Sequence, residues 1–317
     1  MKNYRLKIFI LCLFACLFLG LYLSYGTYGN WSFAFSLRGK KIAAFVLVAI
    51  LIPVSTISFQ TLTQNQFLTQ GILGIDQLYV TLQTLLFFLI GGTTVLAEKS
   101  VALFLLNIIL MAGLSVLFIT FFLGKSGKDL FTLLMVGMIA SSLFGSISTF
   151  LQVLMDPNEY DLLQGRLFAS FSKVDSNHLV ISTGLLFLII SFFWYFSPEL
   201  DALRLGVDLA VNLGISVAWL QKILLFLIAA AIGVATALVG PTVFLGFVIA
   251  TISYEIFPKA NHRQLFIGAS LIAIIFLVGG QFLLEQVFGL KTTISILIQF
   301  IGGLFFIIKL VIERKKT

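Results

Sequence analysis

Apolar residues run along this chain in long blocks broken by short polar stretches, not at the spacing of an amphipathic helix. Several blocks reach the roughly 18–20 residues a helix needs to cross a hydrocarbon core of about 30 Å. A closed transmembrane barrel would instead alternate polar and apolar positions over stretches of about ten residues. The pattern predicts an all-α integral membrane protein with about ten transmembrane helices: 7–25, 41–61, 77–96, 101–123, 129–155, 178–196, 217–238, 242–257, 265–284 and 293–311. Pro53 lies inside the second and is expected to kink it, and Gly240-Pro241 breaks the chain between the seventh and eighth. Two polar stretches remain, 156–177 and 197–216. In the second of these, Pro198 near a helix start and Gly206 between two short apolar runs predict a pair of brief helices. No stretch between blocks exceeds about 22 residues, too few for a separate core, so 1–317 reads as one membrane domain.

Composition agrees. Of 317 residues, 60% are hydrophobic, 10% are charged and 34 are Phe, a balance that no soluble surface can carry. The opening Met1-Lys2-Asn3-Tyr4-Arg5-Leu6-Lys7 has the form of a signal peptide, and Leu13-Phe14-Ala15-Cys16 faintly that of a lipobox. The apolar run continues to about Tyr25, so an uncleaved first helix is expected. Cys12 and Cys16 both sit in that block and imply neither a disulfide framework nor a metal site.

The net charge of +7 would suggest nucleic acid in a soluble protein; here it fits juxtamembrane Lys and Arg. With a cytoplasmic N-terminus and ten alternating spans, 13 of the 20 basic residues fall inside and 7 outside. Both termini are therefore expected in the cytoplasm of a multi-pass cytoplasmic-membrane protein. The exception is Arg38-Gly39-Lys40-Lys41, a basic cluster on the outer side.

Candidate chemistry is sparse. No Gly-rich phosphate loop with a following Lys-Ser/Thr is present, so nucleotide binding by that route is excluded. His178 and His262 have no Cys or carboxylate at ligand spacing, and neither a metal nor a cofactor is expected. Apart from Glu98, Glu255 and Glu285 near helix ends, the spans hold almost no carboxylate, which argues against an ion-coupled secondary transporter. The acidic stretch Asp156-Pro157-Asn158-Glu159-Tyr160-Asp161 could serve a prenyl-transferring enzyme, but that chemistry needs a second acidic cluster, and a solvated loop is the simpler reading. In the fifth span, Gly137, Ser141, Gly145 and Thr149 recur every four residues. Such a face can pack helices closely, form a subunit interface or line a polar passage. The segment 197–216 can lie on the membrane surface or dock another protein.

Three stretches give the chain a resemblance to the permease family of iron–siderophore and cobalamin ATP-binding-cassette importers. They are Phe59-Gln60-Thr61-Leu62-Thr63-Gln64-Asn65 with Leu68-Thr69 and 71–79, then Gly165-Arg166 through Asn177, then Ala237 to Gly246 with its Gly-Pro-x-x-Phe-x-Gly form. The resemblance implies a non-enzymatic passage paired with a second permease subunit, a heterodimer by preference and a homodimer as the alternative. It also implies two cytoplasmic ATP-binding subunits and an extracytoplasmic siderophore-binding protein, with a siderophore of catecholate or citrate type as cargo. On that resemblance, Gly206, Asp208, Ala210 and Gly214 fall in the ATPase-coupling motif and Arg38 and Lys41 where the binding protein docks, while the fifth span lines the passage. The sequence departs from the family in two places: Arg-Gly-Lys-Lys replaces Arg-Leu-Pro-Arg at 38–41, and Gln286 stands where an Arg is usual.

Overall fold

The computed structural model describes residues 2–26, 31–69, 71, 74–92, 101–123, 130–168, 170–171, 174–289 and 294–314. Among the described residues, ten apolar helices carry the fold: α1 (Lys2–Ser24), α2 (Trp31–Leu62), α3 (Ile75–Ile90), α4 (Val101–Leu123), α5 (Leu130–Val153), α7 (Ser176–Tyr195), α10 (Val217–Val239), α11 (Leu245–Ile256), α12 (His262–Phe282) and α13 (Ile294–Arg314). Short helices described between them are α6 (Pro157–Leu167), α8 (Ser197–Leu203) and α9 (Val207–Asn212). The brief pair expected in 197–216 is thus present. The helix α6 was not expected; Asp156 caps it by accepting from the Asn158 amide, with Pro157 in the first turn.

Helices α2 and α10 form the centre and are buried on nearly every side. Against α2 lie α1, α7, α11 and α12, and against α10 lie α2, α4 and α7. Helices α3 and α5 pair at one flank, and α13 covers α11 and α12. The second helix begins ten residues before the expected 41, which puts Arg38 and Lys41 on its first turns. It continues through Pro53. Beside that proline, the hydroxyls of Ser55 and Thr56 donate to the Ile52 carbonyl and that of Ser58 to Val54, so polar groups in an apolar core are satisfied within the helix.

The Gly-Pro break has a geometric reason at each fixed residue. Gly240 has φ +96°. Phe244, at φ +64°, caps α11 in the left-handed region and packs its ring against Phe306 of α13. Gly246 lies so close to Thr56 and Ile52 of α2 that no side chain fits between them. The 12 residues of α11 span about 18 Å at 1.5 Å per residue, well short of a full crossing.

Candidate functional site

The α8–α9 end is built as a rigid bracket. Leu200 and Leu203 of α8 and Ala210 of α9 are fully buried and hold the two helices onto the bundle. Gly206 links them at φ +119°, a conformation essentially confined to glycine. After α9, the Gly214 amide bonds to the Val211 carbonyl and the Ile215 amide to that of Ala210, with Gly214 at φ +84°. This is a Schellman stop, and it reverses the chain into α10. Outside the apolar spans, Leu205, Val207, Leu209, Val211 and Leu213 are nonetheless exposed, with Asp208 exposed among them. Of the predicted coupling residues, Gly206 and Gly214 therefore shape turns, Ala210 anchors, and Asp208 faces outward.

Polar side chains tie this bracket to the spans. His262 is buried at the start of α12; its Nδ1 lies 2.6 Å from Asp201 Oδ1 of α8, and its Nε2 lies 2.8 Å from Thr61 Oγ1 of α2. The His262 amide also donates to Asp201. Arg204 donates to the Ala260 carbonyl and Arg263 to Ser197 Oγ. Desolvation alone would raise the Asp201 carboxyl, but the His262 side chain and amide hold it below the ordinary carboxylate range.

The small-residue face of α5 divides in two. Gly137, Ser141 and Gly145 turn toward α3 of the same chain: Gly74 abuts Gly137 and Ser141, and Gln77 lies beside Gly145. Thr81 donates to the Phe144 carbonyl and accepts from Ser148, so this half is intramolecular packing. Thr149 belongs to the other half and is exposed with Ser142 and Ser146, beside Ile139, Leu143 and Phe150. The hydroxyls of Ser146 and Thr149 return to their own helix carbonyls, which leaves a smooth, weakly polar surface.

At the opposite end of the bundle, the two predicted docking cations have partners within the chain. Arg38 donates to the carbonyls of Tyr22, Leu23 and Tyr25, closing the last turn of α1. Lys41 pairs with Glu285 at 3.0 Å, and Tyr22 and Gln281 also donate to that carboxylate. A π-helical turn over Leu283–Val287 carries Glu285. Lys40 is the exposed cation of the cluster. The acidic stretch is likewise structural: Asp156 is the α6 cap and Glu159 accepts from the Gly92 amide. Among the described residues no group of three or more His, Cys, Asp or Glu could hold a metal ion.

A match to the FecCD transport family extends over residues 8–312. The chain belongs to that family. It is 38% identical over 315 residues, 99% of both chains, to the petrobactin import system permease protein YclO of Bacillus subtilis. To the corresponding protein FatC of Bacillus anthracis it is 30% identical, covering 88% of this chain and 78% of that one. Its fold is similar to a solved metal-chelate type ABC transporter in an inward-facing conformation, with TM-score 0.83 at 22% identity, covering 97% of this chain and 99% of the other.

The FecCD membership bears out the resemblance read from three motif stretches, and the fold explains why they belong together. Tyr79 from the first, Gly165, Arg166 and Ser170 from the second, and Ala237 to Gly240 from the third line a single cavity of about 240 Å³. The Ser170 amide donates to the Val239 carbonyl there. Sequence reasoning missed the Asp201–His262–Thr61 line, because its members lie 61 and 201 positions apart and no spacing rule connects them.

Proposed function

We propose that this chain is the membrane-spanning permease subunit of an ATP-binding-cassette importer that carries an iron–siderophore complex, of the petrobactin type named for its relatives, across the cytoplasmic membrane. The observation that carries the reading is the row of exposed apolar side chains on α8–α9, outside the spans and held by two glycine turns. An apolar surface of that kind marks a protein contact, and a cytoplasmic ATP-binding subunit is its occupant. Lys7, Arg204, Arg263 and Lys309 gather at the same end, which supports placing it, with both termini, in the cytoplasm.

The exposed half of α5, with Ser142, Ser146 and Thr149, meets a second permease subunit, read here as a different chain, and the ligand passes between the two. Hydroxyls already bonded to their own helix tolerate a polar ligand without gripping it. At the outer end a siderophore-binding protein docks; Arg38 and Lys41 shape the surface through their internal bonds, and Lys40 offers charge to it. No covalent chemistry is assigned to this chain; ATP is hydrolysed in its partner.

The test is Gly214→Arg. The turn's φ of +84° penalises any L side chain by about 1–2 kcal/mol, and the long cation projects from the docking surface. The expected result is a chain that remains in the membrane but no longer co-purifies with its ATPase, while Gly214→Asn, which tolerates the left-handed turn, retains it. Undiminished co-purification of Gly214→Arg would remove the coupling assignment.

A further inference from the structure

The bracket formed by α8 and α9 touches the interior of the bundle through few polar contacts, and two of them converge on the last turn of α2. The first is the line Asp201–His262–Thr61, with contacts of 2.6 and 2.8 Å. His262 is fully buried and Thr61 nearly so. The second is Gln64, whose Nε2 donates both to the Thr61 carbonyl and to the Leu203 carbonyl of α8, each at 2.8 Å. Gln64 holds φ +51°, one of two non-glycine residues at positive φ among the described residues. Its amide bonds to the Thr61 carbonyl and the Asn65 amide to that of Gln60, so Gln64 stands where a helix stop ordinarily takes glycine. A side chain is kept there against the backbone preference, and its amide group is what reaches α8.

We infer that Thr61 and Gln64, through His262 with Asp201 and through the Leu203 carbonyl, form a strut that delivers displacement of the α8–α9 bracket to α2. The inference rests on the coupling assignment above. A strut must resist both push and pull. Apolar contact alone, such as Leu200 and Leu203 against the bundle, resists push but slides. Directional bonds at both ends of a buried imidazole fix distance and angle together. What they grip is suited to carrying the motion. Helix α2 has 32 residues, about 48 Å at 1.5 Å per residue, and at its far end Arg38 holds the last turn of α1 while Lys41 holds Glu285 beyond α12. One helix thus joins the ATPase-facing end to the opposite end. Thr61, Gln64, His262 and Asp201 are positioning residues: they act through α2 and touch no ligand.

The test uses the complete transporter, with its ATPase and second permease, in liposomes, with ferric petrobactin on its binding protein as the probe. Thr61→Val removes the hydroxyl at nearly constant volume, and Thr61→Ser restores it. Gln64→Gly removes the amide while supplying the residue the backbone favours, so the fold is not burdened. Both Thr61→Val and Gln64→Gly are expected to retain the ATPase and their basal ATP hydrolysis, yet import at least tenfold less iron per ATP consumed; Thr61→Ser recovers import to within about twofold of the parent. A purely structural role would lower the amount of assembled complex without changing the iron-to-ATP ratio. Unchanged ratios in both variants would overturn the strut, as would loss of the ATPase from Thr61→Val, which would make Thr61 part of the docking surface. Failure of the coupling assignment is separately visible, because it appears as ATPase retention by Gly214→Arg.

Discussion

Gly246→Ala tests whether the short helix α11 depends on contact with α2 at the level of single atoms. A Cβ at 246 would overlap Thr56 Oγ1 outright, and it would lie 3.0 Å from Thr56 Cβ and 3.2 Å from Ile52 Cγ2. Rotating Thr56 removes only the first clash, because Thr56 Cβ is fixed by the backbone of α2. Rotation also breaks the 2.7 Å bond from the Thr56 hydroxyl to the Ile52 carbonyl. Overpacking of a filled core costs about 1–3 kcal/mol, and loss of a buried hydrogen bond about 1 kcal/mol more. We expect Gly246→Ala to lose about 2–4 kcal/mol and to lower the unfolding midpoint in detergent by several degrees. Thr56→Ala removes the worst contact, so the double variant should recover about half the loss, a coupling on the order of 1 kcal/mol or more between the two sites. An unchanged midpoint in Gly246→Ala, or strictly additive effects in the double variant, would refute the close approach of α11 and α2.

Two other expectations follow from charged groups. Arg38→Gln should destabilise the free protein by about 1–2 kcal/mol through the released α1 carbonyls, to the same extent at low and high salt. Arg38→Glu with Lys41→Glu should in addition weaken capture of the binding protein most at low ionic strength, and salt-independent capture would confine both residues to their structural bonds. The second concerns acid. The folded-state pKa of Asp201 is depressed, so its contribution is complete above the unfolded carboxylate's value of about 3.9 and is lost as pH falls through the lower folded value. Thermal midpoints of Asp201→Asn should therefore lie below those of the parent at neutral pH and begin to converge with them only as pH falls below about 4; parallel curves through the acid range would contradict the assignment.

What the sequence made legible follows the physics that acts locally. Apolar block length is set by bilayer thickness, so the long helices could be read from it, the short α11 was marked by the Gly240-Pro241 break before it, and Pro198 and Gly206 announced the α8–α9 pair through turn chemistry. Polarity alone does not separate helix α6 from a solvated loop, although Asp156-Pro157 is a helix start that the residue types already spell out. The internal acceptors of the basic cluster at 38–41 are invisible in sequence. Three are backbone carbonyls, which every residue has, and the fourth is Glu285, placed by a π-turn that no periodicity predicts.

The four-residue stripe on α5 shows the same boundary more sharply. Spacing put Gly137, Ser141, Gly145 and Thr149 on one face, but a helix repeats every 3.6 residues, so a four-residue row drifts around the axis. Over three steps it carries the last member out of the α3 contact that holds the first three and onto the exposed surface. The small polar residues exposed on α5 are consequently Ser142, Ser146 and Thr149, a row displaced from the one that spacing alone selects. A pairing model built on Gly137 and Ser141 would bury the seam that already joins α5 to α3.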